Sequence, residues 1–267
     1  RPVLLYAALA LPGVGRAQGS AQGAAWPDRP VRIIIPFGAG GPIDTVGRLL
    51  GEHLKERLGQ PFLIENRPGA GGSIGIRAVV QAPPDGQTFL LTSASLASVP
   101  ALYPSQNLDP RTALTPVSHV ADVPTAMVVR AAGPFRSVQE VLAAARADPG
   151  RLTYGSGGVG SSNHLAGALF ASAAGIELTH VSYRGAAPAM TALYAGEIDM
   201  VFSSTVETLP HVQAGRARLL GVATPRRIPA LPEAPAIAEI LPGYAALNWY
   251  AIAAPRGLPP AIVARLA

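Results

Sequence analysis

Val31-Arg32-Ile33-Ile34-Ile35 is a short, nearly continuous run of β-branched apolar residues. That pattern predicts a strand covered on both faces. The period then changes. Val46, Leu49, Leu50, Leu54 and Leu58 recur at helical spacing, with Pro42 at a first helical position, Asp44 in the first turn and Gly59 as a stop. The alternation continues along the chain. Strands are predicted over 62–66 and 88–93, with a helix between them ending at Val80 and a turn at Pro83-Pro84-Asp85-Gly86. The pattern shifts around 117–130, where 126–130 is strand-like and Ser137 is placed to cap a helix over 138–147. A second series follows, with strands at 152–154, 178–183 and 198–203 and helices at 161–174, 187–195 and 206–214. Strand-like runs at 219–223 and 248–254 and a helix opening at Pro259-Pro260 complete it. Strands alternating with helices predict α/β layering around parallel sheets. The two series repeat an architecture without repeating a sequence.

Two glycine-rich segments stand at strand-to-helix junctions. The first is Pro36-Phe37-Gly38-Ala39-Gly40-Gly41-Pro42-Ile43-Asp44. The second is Tyr154-Gly155-Ser156-Gly157-Gly158-Val159-Gly160-Ser161-Ser162-Asn163-His164. Such junctions aim free backbone N–H groups and the positive end of a helix at a ligand, so they suit anions. Residues 155–160 also fit the G-x-G-x-x-G pattern of dinucleotide sites, with Glu177 at a distance that suits a ribose. Ser156, Ser161, Ser162 and Asn163 crowd that loop with side-chain donors, which favours a small anion over a pyrophosphate, and a purely structural loop is the remaining reading. Gly71-Gly72-Ser73-Ile74-Gly75 fits the G-x-S-x-G elbow of hydrolases, but four residues separate it from its strand, and a helix-start role for Ser73 competes. Arg184, at the junction Tyr183-Arg184-Gly185, is either an anion partner or a surface arginine. Asp199 is either a ligand contact or a cap. His164 is either a contact or a packing residue.

Composition narrows the class. The chain has 267 residues, 49% hydrophobic and 14% charged, which fits one large or two ordinary globular domains. A net charge of +5 is spread along the chain without basic runs or aromatic–basic interleaving, so nucleic acid is not the expected partner. There is no cysteine, and the five histidines lack metal-ligand spacing, so neither metal nor other cofactor is expected. Residues 3–11 form a short apolar run followed by small residues, the pattern of a secretory leader over 1–25. Export to the periplasm is therefore expected. The chain starts without Met and stops inside a helical pattern, so both ends are expected to continue in the full protein.

Seven segments taken in order resemble the Bug family of bacterial periplasmic solute-binding proteins, the TctC-like receptors of tripartite tricarboxylate transporters. They are residues 26–32, the P-F-x-A-G-G-x-x-D loop at 36–44, 65–72, 84–88, 154–165, 183–188 and 196–199. The resemblance implies a type II periplasmic-binding-protein fold, with two α/β domains, crossover strands as hinge and a ligand cleft between them. It divides the chain into 26–124 plus 223–267 and 125–222. It implies a non-catalytic, monomeric receptor for a small carboxylate, working with membrane permease subunits or a sensor kinase. An α/β enzyme, nucleotide-dependent or hydrolytic, is the alternative of a different class. Carried over, the ligand contacts are Phe37, Gly38, Ala39, Gly40, Gly41 and Asp44 in the first loop and Ser156, Gly160, Ser161 and Ser162 in the second. Ser93 and Ser95, at the end of the third strand, complete that set, and Arg184 and Asp199 join it from the residue reading above. Asp44 is the odd member, since a carboxylate repels a carboxylate. It either steadies its own helix or meets an ammonium on the ligand.

Overall fold

A computed structural model describes residues 26–267; the leader expected over 1–25 lies outside the described residues. Two five-stranded sheets organise the chain. The first holds β1 (Val31–Ile35), β2 (Phe62–Asn66), β3 (Thr88–Ser93), β4 (Leu114–Val123) and β10 (Asn248–Pro255), in the order β2-β1-β3-β10-β4. The second holds β5 (Thr125–Arg130), β6 (Thr153–Ser156), β7 (Thr179–Ser182), β8 (Met200–Ser204) and β9 (Ala217–Val222), in the order β7-β6-β8-β5-β9. Each sheet is mixed rather than purely parallel. β10 runs antiparallel to β3 and β4, and β5 runs antiparallel to β8 and β9. The antiparallel strand in each case neighbours the place where the chain crosses between sheets.

The continuous apolar run of β1 has a simple cause. Ile33 and Ile35 pack on one face with Val46, Leu50 and Leu54 of α1 (Pro42–Leu58), while Ile34 packs on the other with Ile76 and Val79 of α2 (Ser73–Val80). In the second sheet Met127 and Val129 face Val138, Val141 and Leu142 of α5 (Val138–Ala147) and Phe170 of α6 (Ser162–Ala174). Ala126 and Val128 face Ala189, Met190 and Leu193 of α7 (Ala186–Ala195). The short helices α3 (Val99–Leu102) and α4 (Pro110–Ala113) lead into β4, α8 (Thr205–Gln213) follows β8, and α9 (Pro260–Leu266) packs on the first sheet through Ile262 and Val263.

β4 is the element that periodicity missed. Only Leu114, Val117 and Val123 of its ten residues are buried, and Pro116, Ser118, His119 and Asp122 interrupt any strand-like pattern. It is an edge strand, where a proline costs no ladder bond on the open side. Its end at Val123 leads through Pro124 straight into β5 of the other sheet, and the return path runs from β9 to β10 through residues 223–247.

Candidate functional site

Four helices begin at the carboxyl ends of strands and point into the space between the sheets. Their first residues or caps, Pro42 of α1, Ser161 and Ser162 of α6, Ala186 of α7 and Ser204 of α8, line one inner cavity. Ligands of open α/β sheets sit at such strand ends. Among the described residues, no lysine, arginine or histidine lines the cavity. Each helix N-terminus facing it carries the equivalent of about half a positive elementary charge. In α6 the Ser161 hydroxyl accepts from the His164 amide at 3.3 Å, leaving the amides of Ser162 and Asn163 without a partner among the described residues. The caps of α1 and α7 are glycines, Gly41 and Gly185, with no side-chain acceptor to compete for the helix amides. The remaining walls are hydroxyl and amide groups of Ser93, Thr125, Asn163 and Asn248, the ring of Tyr250, and the apolar Phe37 and Ile43.

The candidates from the sequence divide between the cavity and its supports. Phe37, Gly38, Gly41, Ser93, Ser161 and Ser162 line the inner cavity. Ser95 stands behind, its hydroxyl 2.8 Å from that of Ser93. Ala39 and Gly40 form the exposed tip of the first loop and do not line it. Ser156 is buried beneath the second loop, its Oγ 2.6 Å from Nε2 of His180 and accepting from the Gly158 amide at 3.1 Å. The Gly160 amide donates to Nδ1 of His164 at 3.2 Å, so it too is turned inward. Arg184 lies in an outer compartment at the mouth of the cleft.

Two assignments need correction. Asp199 sits at the opposite end of β8 from the cavity. Its carboxylate accepts from the amide and hydroxyl of Thr153 at 2.8 and 3.0 Å, tying the starts of β6 and β8 together, and it does not line the cavity. Asp44 is 3% exposed and also turned away from the cavity. It accepts from the Gly40 amide at 3.0 Å, from Nε of Arg48 at 3.0 Å and from Asn66 at 3.0 Å, and so closes the first loop on itself. Burial alone would raise its pKa, but the hydrogen bonds of Arg48, Gly40 and Asn66 hold it below the usual carboxylate range. Ser73 is fully buried at the start of α2 and its hydroxyl has no hydrogen-bond partner among the described residues, so it makes no catalytic pairing.

The second loop rests on a stack of rings. His164 and His180 lie 4.3 Å apart, and His180 lies 4.9 Å from Tyr154. Burial, with neighbouring His164 adding to it, pushes the pKa of His180 down to about 4. A neutral His164 is what the hydrogen bond from the Gly160 amide requires.

Thr125, Asn163, Ser204, Asn248 and Tyr250 line the cavity and were not among the sequence candidates. Asn163 lies inside the second loop and was open to selection. Thr125 and Asn248 were not, because their shared trait is position: each begins a strand where the chain crosses between sheets. The two lobes meet directly around the cavity. A Cβ on Gly38 would lie 2.8 Å from the Arg184 carbonyl oxygen, the Ser98 hydroxyl lies 3.2 Å from the Gly160 carbonyl while its proton has a nearer acceptor in the Ser95 carbonyl at 2.8 Å, and Tyr103 donates to the Val159 carbonyl at 3.1 Å.

Comparison with known proteins places this geometry. Residues 46–267 match the model of the tripartite tricarboxylate transporter family receptor, TctC. A UPF0065 protein from the tcbD-tcbE intergenic region of Pseudomonas sp. strain P51 is 41% identical over 244 residues, covering 91% of this chain and 73% of that protein. The structure of the periplasmic binding protein BugD superposes with a TM-score of 0.86 at 33% identity, over 90% of this chain and 81% of its own. Rpa4515 of R. palustris, solved with adipate, superposes with a TM-score of 0.86 at 37% identity, over 90% and 81%. With two mixed α/β domains around a cleft ringed by helix N-termini, the chain belongs to the Bug/TctC family of periplasmic solute-binding receptors.

Proposed function

We propose that this chain captures a small carboxylate in the periplasm and delivers it to the membrane subunits of a tripartite tricarboxylate-type transporter. The observation that carries the reading is the convergence of four helix N-termini on a cavity that has neutral donors and, among the described residues, no basic side chain. Such a site favours a carboxylate through amides and hydroxyls, each charge-assisted bond contributing about 1.5–3 kcal/mol. A few such bonds, less the cost of closing the lobes, suffice for micromolar binding, about −8 kcal/mol. A neutral donor set also releases its ligand more readily than a buried ion pair would, which suits a carrier. The bound adipate of the R. palustris relative supports the ligand class. In this reading the closing lobes are built on 26–124 and 125–222, and the stretch 223–246, expected with the first lobe, packs instead on the second sheet, where Ile237 and Tyr244 join its core.

A thermal-shift screen of the full-length protein, stripped of carried-over ligand, tests it. Dicarboxylates, tricarboxylates, acidic amino acids and aromatic acids form the panel. A true ligand at about 100 times its Kd adds roughly 2.7 kcal/mol of stability. A panel with no shift from any carboxylate overturns the proposal.

A further inference from the structure

The inner cavity is small. Its volume is about 40 Å³, against roughly 10–15 Å³ for one water on the same scale, so it holds a carboxylate head and little more. The rest of any ligand must extend from it, and two spaces adjoin. One is the outer compartment at the mouth, about 560 Å³, reached past Gly38 and Gly157. That passage is pinched by backbone, since even a Cβ on Gly38 would lie 2.8 Å from the Arg184 carbonyl. The other is a lateral groove of about 200 Å³ between α6 and residues 245–247. Thr125, Ser162 and Asn248 line both the cavity and this groove, so the two spaces share a wall.

The groove is apolar. Leu165 and Leu169 of α6 form one side and Leu247 the other, and no charged residue among the described ones lines it. Leu169 is 44% exposed and Leu247 is 60% exposed, so two large apolar side chains of one groove are left open to water. Exposed apolar groups gathered beside a polar anchor are a common mark of a binding surface.

We propose that this groove takes the apolar body of the ligand, so that the preferred solute is a carboxylate bearing an extended hydrocarbon or aromatic group. This rests on the carboxylate reading of the cavity and adds the substrate class. The head meets the α6 N-terminus beside Ser162. The body then passes Thr125 and Asn248 and lies between Leu169 and Leu247. Each methylene buried there tightens binding about threefold to fourfold.

The test is a series of straight-chain monocarboxylates from acetate to hexanoate, with phenylacetate, malonate and succinate, applied to the full-length protein by thermal shift and calorimetry. The double variant Leu169→Ser, Leu247→Ser is run beside it. The expected result is affinity that climbs with chain length in the wild type and much less in the variant, with the shortest acids unaffected by the change. Short dicarboxylates binding well while the monocarboxylate series stays flat would overturn the groove and leave the receptor reading standing. A chain-length dependence unchanged in the variant would also overturn the groove. If no acid of either class binds, the carboxylate reading fails and the groove proposal with it.

Discussion

Asp44 shows how one side chain can be essential to a site without touching the ligand. Its carboxylate gathers the Gly40 amide, Arg48 and Asn66, and Asn66 also donates to the Phe37 carbonyl at 3.1 Å, so both ends of the first loop hang on one buried group. Asp44→Asn is expected to destabilise the protein by about 1–3 kcal/mol, because partners of a buried acceptor lose their bonds. It should weaken amino diacids and plain diacids by the same factor. A loss confined to ligands carrying an ammonium would show instead that Asp44 faces the ligand. Because its pKa is depressed on folding, its stabilisation is complete above the unfolded value of 3.8 and is lost as pH falls below it. His180 acts in a higher window. Its folded pKa is about 4 against 6.5 when free, so the unfolded chain takes up the proton first. Stability is therefore full above pH 6.5 and falls as pH drops toward 4. The denaturant midpoint measured across that range should slope less in His180→Gln. Burial shifts His164 and His211 in the same direction, so part of the slope should remain. An unchanged slope would remove His180 from the account.

Among elements, the loops that begin α1 and α7 matter as a pair. Gly38 and the Arg184 carbonyl touch across the cleft, and Gly38 needs no left-handed backbone, so space alone excludes a side chain there. Gly38→Ala should leave the unfolding midpoint of the ligand-free protein nearly unchanged and weaken ligand binding about tenfold or more, which is about 1.4 kcal/mol. Equal losses of stability and affinity would mean that the residue serves the fold of its own lobe instead. Helices and buried strands were legible here because their cause is local. β1 shows its two buried faces as an unbroken apolar run, and α1 shows its single apolar stripe. β4 was not legible, because an edge strand with three buried residues carries too little pattern.

At the scale of the molecule, each sheet has its own core, and few direct bonds join the lobes outside the two crossings. Tyr103 provides one, donating to the Val159 carbonyl, and Ser98 a weaker second, its proton shared between the Ser95 carbonyl at 2.8 Å and the Gly160 carbonyl at 3.2 Å. Replacing both, as Ser98→Ala with Tyr103→Phe, should cost roughly 0.5–1.5 kcal/mol in the closed state, most of it from Tyr103. The loss should appear as faster ligand release in stopped-flow measurements, with the unfolding midpoint nearly constant. Release at the wild-type rate would show that closure does not depend on these contacts.

Both glycine junctions could be read from the order of residues, since strand, tight loop and capped helix are neighbours in the chain and their anion-binding geometry is local. Periodicity likewise suffices for the α/β layering. The members of the cavity wall that come from the crossings could not be read so. Asn248 accepts from the Ala94 amide at 3.3 Å across most of the chain, and it meets Thr125 only because β10 and β5 belong to different sheets that face each other. The inward turn of Asp44 and the distance of Asp199 from the cavity were also decided in three dimensions. A carboxylate in a glycine-rich stretch looks the same in sequence whether it faces a ligand or its own loop, and only the placement of its partners separates the two.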